Sequence, residues 1–436
     1  MELQQAARQL KALAPRLSSL PTEVKNSALL KIAQTLLERR SDLEAANQRD
    51  LTEAPAELGA PVLSRLKFQG DKILSSAEGV KSVARLPDPV GKILSARELD
   101  QGLLLKQVTC PLGVIAMIFE SRPDALVQIA SLALKSGNGI ILKGGKEARH
   151  SNRFLADLVH DAAVSAGVPP GWLFLMETRE DVEVLLGLTH EVDLIIPRGS
   201  NAFVQHVMRH TTIPVLGHAD GICHVYVDSK VDLEQALPVI LDSKTQYVAV
   251  CNAAETLLIH VDVAPTLLPR LKRLMDEKKV TLKGCERTKT WLPDIESATD
   301  EDWATEYLDY ILSIKIVDSL QDAIDHINTW GSHHTDAILT NSLETAEAFM
   351  NLVDSADVFW NCSTRFADGF RFGLGAEVGV GTGKIHARGP VGLEGLVIYK
   401  WKLYGSGQVV ADYVGPQARA FTHRELPLAT AGGGHS

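Results

Sequence analysis

Disulfides, membrane spans, basic patches and signal-like segments are all scarce in this chain. It has only five cysteines (Cys110, Cys223, Cys251, Cys285 and Cys362), widely spaced and without a C-x-x-C pair. An odd, scattered set argues against a disulfide framework, a zinc knuckle or a dithiol redox pair and fits a reducing compartment. The opening Met1-Glu2-Leu3-Gln4-Gln5 is polar and lacks the apolar core of a signal peptide. No apolar run is long enough to cross a bilayer. Positive charge is short as well: 44 Lys and Arg stand against 54 Asp and Glu, a net charge of −10. That balance repels phosphate backbones and weighs against a general nucleic-acid binder. An anionic ligand would therefore need a local basic pocket. The G-x-G-x-x-G phosphate loop is missing, and no internal repeat is visible. These lacks lead to the expectation of a soluble, cytoplasmic protein without nucleic-acid or membrane partners.

What is present reads as α/β. Hydrophobic residues make up 45% and charged residues 22% of the 436 positions, a globular composition long enough for two or three domains. Residues 1–55 carry helical spacing at Leu10, Leu13, Leu17 and Leu20, and again at Leu29, Ile32, Ala33 and Leu36. The second helix is expected to follow Pro21 with Thr22 as its cap. A hairpin is expected from residues 92–97 and 103–108 around Asp100-Gln101-Gly102. Then come Gly113–Phe119, Gly139–Lys143, Trp172–Met176 and Val192–Ile196, apolar runs separated by helical patterns. Such βαβα alternation indicates a parallel sheet covered by helices on both faces. A second α/β unit is expected from Cys223 to Ala387, with strands near 225–227, 256–260, 314–317, 337–340 and 358–360. The tail after Pro416 is expected to be mobile.

Several stretches could carry chemistry. Cys251 follows an apolar run and precedes Asn252-Ala253-Ala254-Glu255-Thr256 and a strand-like Leu257-Leu258-Ile259. A thiol there is a nucleophile if it ionises, or a buried structural cysteine if it does not. Lys143-Gly144-Gly145-Lys146-Glu147 closes a buried strand, where α/β sheets bind ligands; the alternative is a plain loop with a solvated lysine. Pro197-Arg198-Gly199-Ser200-Asn201 opens a helix and offers either an anion site or an ordinary turn capped by Ser200. His333 and His334 are adjacent, so in an extended segment they face opposite ways and would not chelate one metal ion. No metal site is expected. The glycine-rich run 372–383 can bring backbone close to a ligand, and Arg365, Arg371, Lys384, His386 and Arg388 surround it in the sequence. That basic excess suits a doubly charged anion or is a solvated surface.

Three stretches together resemble the γ-glutamyl phosphate reductases, a branch of the aldehyde dehydrogenase superfamily. They are Cys251-Asn252-Ala253-Ala254-Glu255-Thr256, the segment from Val317 to Ile338 with Ala323-Ile324-Asp325-His326-Ile327 and His334-Thr335-Asp336, and Phe372-Gly373-Leu374-Gly375-Ala376-Glu377. The resemblance runs from the early helices to about Tyr404. It implies an aldehyde-dehydrogenase-like fold of two parallel-sheet α/β domains plus an oligomerisation hairpin. The expected division is a cofactor domain over 1–222 with the hairpin at 91–108, a catalytic domain over 223–390, and a return strand with the tail over 391–436. Strands 103–108 and 396–401 are expected to pair across subunits of a homo-oligomer.

The resemblance also implies roles. Cys251 would attack L-glutamyl 5-phosphate, release phosphate and form a thioester, which NADPH reduces to L-glutamate 5-semialdehyde in proline biosynthesis. Asn252 stands beside it in the catalytic set, and the Cys251 N–H is the first oxyanion donor. Lys143 falls where the superfamily places a lysine on the adenosine ribose or its phosphate, Gly199 and Ser200 where a helix start meets the pyrophosphate, and Glu306 where a glutamate often binds the nicotinamide ribose; Lys146 is a further cofactor-binding candidate. Arg122, Arg365, Arg371 and His386 are the candidate substrate ligands. Two departures stand out. Hydrolytic members keep Glu-Leu-Gly-Gly-Lys before the catalytic domain, where this chain has Leu216-Gly217-His218-Ala219-Asp220-Gly221. Members with Trp-Asn-Phe-Pro use its Asn on the oxyanion, where this chain has Glu120-Ser121-Arg122-Pro123. No general base is identified; His218, Asp220 and His386 are candidates. With no kinase domain visible, the labile substrate would come from a separate γ-glutamyl kinase through a transient contact. The rival readings are another acylating or hydrolytic aldehyde dehydrogenase, a cofactor-free cysteine acyl transferase, and a non-catalytic binding protein of the same fold.

Overall fold

The computed structural model describes residues 2–55, 60–120, 122–178, 180–217 and 220–428, so His218, Ser121 and the end of the glycine-rich tail lie outside the described residues. The chain forms two compact units: Met1–Ile196 with His210–Pro214 and Gly392–Ser436, and Pro197–Arg209 with Val215–Val391.

The first unit begins with helices Leu3–Ser18, Thr22–Glu38 and Arg40–Glu53. Their apolar spacing puts Leu10, Leu17, Leu29, Ile32, Ala33 and Leu36 in the core. Thr22 is not the cap. Pro21 holds that position, and the Thr22 hydroxyl donates to Asp88, which also takes Lys25 at 3.0 Å. The hairpin forms as expected from β1 (Ile93–Asp100) and β2 (Leu103–Pro111), with Gly102 at φ +73° in the turn. A positive φ there suits glycine, which has no Cβ to clash.

Two expectations about this hairpin are corrected. The outer edge of β2 pairs with Val397–Tyr404 of the same chain, from Val397 opposite Pro111 to Tyr404 opposite Leu104. The backbone groups expected to bond across subunits are thus satisfied within one chain. The tail beyond Pro416 is also anchored over its described part. Arg424–Glu425 pairs with β1, Arg419 reaches Asp100 at 2.5 Å, and Arg424 reaches Glu98 at 2.6 Å.

The parallel sheet of this unit has β3 (Val114–Ile118), β4 (Gly139–Lys143), β5 (Leu173–Met176) and β6 (Leu194–Pro197) in the order β5-β4-β3-β6. Every residue of β3 and β4 is buried, as continuous apolar runs require between two helical layers. The strand order reverses between β3 and β6.

The second unit holds a seven-stranded sheet. Its strands are β7 (Cys223–Val227), β8 (Ala254–His260), β9 (Thr281–Gly284), β10 (Glu296–Ser297), β11 (Ile311–Val317), β12 (Thr335–Leu339) and β13 (Asp357–Trp360), in the order β10-β9-β11-β8-β7-β12-β13. All neighbouring pairs are parallel. Alternate side chains enter opposite cores. Leu257 and Ile259 join the cluster under helices Leu233–Thr245 and Ala264–Glu277, and Leu258 joins the cluster under Leu320–Trp330 and Leu343–Leu352. Strands β9 and β10 escaped the sequence reading because both are short and carry too few apolar residues. The glycine-rich region ends in a small hairpin of β14 (Gly379–Gly381) and β15 (Gly389–Val391).

Candidate active site

Cys251 sits half-buried in the turn between helix Leu233–Thr245 and β8. A buried ion pair clamps that turn at both ends. Lys244 on the helix and Glu255 on β8 are fully buried and meet at 2.5 Å. Burial pushes the Glu255 carboxyl up to about 7 and the Lys244 ammonium down, while each partner pulls the other back. Removing either would strand a buried charge, so the pair resists opening. Gly221 packs directly on the turn: a Cβ there would fall 2.6 Å from the Cys251 Cβ. Only glycine allows that approach.

The sulfur faces an imidazole. His334 Nε2 lies 3.1 Å from Cys251 Sγ, and the His334 side chain is fully buried. Its Nδ1 lies 2.8 Å from the Thr335 hydroxyl, which in turn donates to Asp357 Oδ2 at 3.4 Å. Burial raises the Asp357 carboxyl to about 6, against the pull of Thr335 and Arg388. A second thiol, Cys223, is buried and directs its S–H to the Cys251 carbonyl at 3.2 Å, and burial pushes it well above the ordinary thiol range. The described residues contain no group of three metal-ligating side chains. The sequence marked His334 as a poor chelator and as part of a family motif but gave it no role, and Cys251 lies 83 positions away from it in the chain. Their meeting depends on β8 and β12 flanking β7, which nothing local in the sequence states.

The neighbouring motif residues are structural. Asp336 is fully buried and takes His224 Nδ1 at 2.8 Å and the Ser355 hydroxyl. His326 is packed between His224 and Trp303, and burial holds it neutral, lowered to about 2.

Asn252 is buried, and its amide donates to the Ala367 carbonyl at 2.7 Å. The structure thus makes its amide a tie between the turn and the following loop. Arg365 is largely buried; its Nε donates to Gln246 on the Cys251 turn at 3.0 Å, and it interacts electrostatically with Cys251. Arg371 is exposed and donates to the Arg365 carbonyl at 2.6 Å. His386 is half-buried at φ +70°. The basic cluster is smaller than its sequence suggests, because Asp354 takes both Lys384 at 2.7 Å and Arg388 at 3.1 Å.

Glu306 is brought near the Gly199-Ser200 turn. Asn201, the first residue of helix Asn201–His210, lies 3.5 Å from Glu306 and also bonds Asp220. In the first unit Lys143 ends β4, is nearly buried, and donates to the Gly144 carbonyl at 2.7 Å. Burial lowers its ammonium, against nearby Glu147. Lys146 is exposed on the short turn that follows. Beside that turn, Asn152 approaches the Gly145 carbonyl with its Nδ2 and keeps a buried Oδ1 without a hydrogen-bond partner. Arg122 is exposed and paired with Asp124 at 3.0 Å.

Comparison with known proteins identifies the family. A sequence model of the aldehyde dehydrogenase family matches residues 1–307. The chain is 55% identical to the γ-glutamyl phosphate reductase of Acetivibrio thermocellus over 427 residues, covering 98% of this chain and 99% of that one. It is 54% identical to the enzyme of the same name from a Cyanothece species over 423 residues, 97% of this chain and 96% of that one. The crystal structure of γ-glutamyl phosphate reductase from Thermotoga maritima matches with a TM-score of 0.92 at 38% identity, covering 94% of this chain and all of that one. An acetylating aldehyde dehydrogenase from Geobacillus thermoglucosidasius, 18% identical with a TM-score of 0.62 over 93% of this chain and 96% of that one, shares the fold. The chain belongs to the γ-glutamyl phosphate reductases, oxidoreductases of the aldehyde dehydrogenase family.

Proposed function

We propose that this chain catalyses the NADPH-dependent reduction of L-glutamyl 5-phosphate to L-glutamate 5-semialdehyde, the second step of proline biosynthesis from glutamate, through a thioester on Cys251. The observation that carries the reading is the half-exposed thiol on a clamped turn, in a chain 55% identical to a γ-glutamyl phosphate reductase over nearly its whole length.

In the acylation step the Cys251 thiolate attacks the acyl carbon, the S–C bond forms, and the C–O bond breaks with its electron pair leaving on phosphate. The Cys251 N–H is the first candidate to hold the oxyanion. Arg365 adds positive charge beside the turn, and Arg371, His386 and Arg122 are the proposed ligands of the substrate's anionic groups. Asn252 positions the turn through Ala367.

Enzymes of this family use a nicotinamide cofactor, and the residues present fit one. The unpartnered Asn152 Oδ1 beside the Gly144-Gly145 turn can accept from a ribose hydroxyl. Lys143 and Lys146 would hold the adenosine end, and Gly199, Ser200 and Glu306 the pyrophosphate and second ribose. NADPH, when bound, supplies the hydride that takes the thioester to the aldehyde level.

A homo-oligomer is part of the same reading. Among the described residues strand Val397–Tyr404 has no partner on its outer edge, and it exposes Ile398, Tyr399, Trp401 and Leu403. Such an apolar edge is a hazard unless a second copy covers it. The described residues include no helix long and apolar enough to cross a membrane. Cytoplasmic location and a transient contact with γ-glutamyl kinase belong to the same proposal.

The test is the reverse reaction. Enzyme, glutamate-5-semialdehyde and NADP⁺ are mixed with and without inorganic phosphate, and the reduced cofactor is followed optically. Phosphate-dependent reduction supports the acyl phosphate and the thioester together. Sustained reduction without phosphate makes water the acceptor and overturns the reading.

A further inference from the structure

We propose that His334 is the base that takes the proton from Cys251, and that Thr335 and Asp357 position it by fixing its tautomer. This rests on the reading that Cys251 is the nucleophile.

The direction of the hydrogen bonds carries the inference. Asp357, when ionised, can only accept. The Thr335 hydroxyl has one proton and donates it to Asp357 Oδ2 at 3.4 Å. Toward His334 that hydroxyl can therefore only accept, so the nitrogen 2.8 Å away, Nδ1, must carry hydrogen. Cys223 Sγ also lies near Nδ1, at 3.8 Å. Cys223 directs its own S–H to the Cys251 carbonyl at 3.2 Å, so it too can face Nδ1 only as an acceptor. The Thr335 and Cys223 contacts agree on the same tautomer. The lone pair of the neutral ring is left on Nε2, 3.1 Å from the Cys251 thiol. This is the arrangement of a nucleophile, a base in hydrogen-bond reach and a third group orienting the base.

The step balances simply. The S–H bond of Cys251 breaks, its electron pair stays on sulfur, and the proton moves to Nε2. The thiolate attacks the acyl carbon, and phosphate leaves with the C–O electron pair. The imidazolium that forms stands beside the sulfur until the thiolate is expelled, and the proton can then return. His334 follows helix Leu320–Trp330 by a few residues, on the side of the sheet where helix carboxyl ends favour a cation.

The test is alkylation of the full-length protein by iodoacetamide, read by peptide mapping at Cys251 and therefore independent of turnover. The expected result is that His334→Gln slows modification of Cys251 at pH 6.5 at least tenfold and leaves it within twofold at pH 9.5, where thiols ionise unaided. The half-exposed Cys110, Cys285 and Cys362 serve as internal controls and keep their rates. Thr335→Val slows Cys251 in the same way at pH 6.5, and Thr335→Ser restores it. A Cys251 rate at pH 6.5 unchanged by His334→Gln overturns the proposal. If His334→Gln fails to fold, the threonine pair decides: a Thr335→Ser rate equal to that of Thr335→Val overturns the orienting chain. Turnover retained in Cys251→Ala would instead sink the nucleophile reading itself. An inactive Cys251→Ala with unchanged alkylation in His334→Gln sinks only the role of His334.

Discussion

The two parallel sheets of this molecule carry their candidate site residues at opposite strand ends. In the first unit Lys143 closes β4, at the carboxyl end where α/β sheets bind ligands. In the second unit the order is inverted. Gly221 precedes β7, Cys251 precedes β8, His334 precedes β12, and Asp357 opens β13. In such sheets helices start beyond strand carboxyl ends and finish before strand amino ends. The carboxyl edge thus gathers helix N-termini, which favour the phosphates of a cofactor, and the amino edge gathers helix C-termini, which favour cations. A thiolate on the amino edge needs a positive group beside it. In the proposed reading His334 would provide that charge by accepting a proton and Arg365 permanently.

Substitutions on the two edges should therefore fail differently. Cys251→Ala should lower turnover by roughly 10⁴-fold or more, with a thermal melt close to wild type; steady-state kinetics showing normal rates would remove the amino edge from the chemistry. Gly221→Ala should cost about 100-fold in kcat, because its Cβ displaces the Cys251 backbone and a shift of about 1 Å is worth that much. Its cofactor affinity should stay normal, which a fluorescence titration checks. Lys143→Ala should do the reverse, raising the NADPH Kd about tenfold (~1.4 kcal/mol) with the acyl-substrate KM unchanged; an unaltered Kd would return Lys143 to packing.

The smallest effect concerns stability and a carboxylate of the scaffold, away from the proposed chemistry. Burial alone would raise Asp302, but Lys283, Thr299 and Tyr307 hold it well below its ordinary value of 3.8. A depressed carboxylate stabilises the fold above its unfolded pKa, and that stability is lost as pH falls through the folded value. Asp302→Asn should cost about 1–3 kcal/mol at pH 7, and the gap to wild type should narrow below about pH 3. Urea melts at the two pH values measure it, and a gap that widens in acid would refute the assignment.

Side-chain pairing decided several roles that residue type left open. Lys384 and Arg388 read as part of a basic excess that was either an anion site or a solvated surface, and both are paired with Asp354. Asn252, beside Cys251 in the chain, donates its amide to the Ala367 carbonyl. The tail after Pro416 looked unanchored because its partners, Glu98 and Asp100, are more than three hundred residues away. In each case the missing term was a long-range contact with no local signature.

Local order, by contrast, was written in the chain. The all-apolar Val114–Ile118, the helical spacing of Leu29, Ile32 and Leu36, the turn at Gly102 and the place of Cys251 ahead of a strand all follow from periodicity and backbone preference. These properties depend on a few consecutive residues, so sequence alone determines them. What joined His334 to Cys251 was the order β8-β7-β12 in the sheet, together with the clamp of Lys244 on Glu255 and the close approach of Gly221. Strand order is set by which apolar faces bury against which helices across the whole unit, and only the folded chain makes that choice.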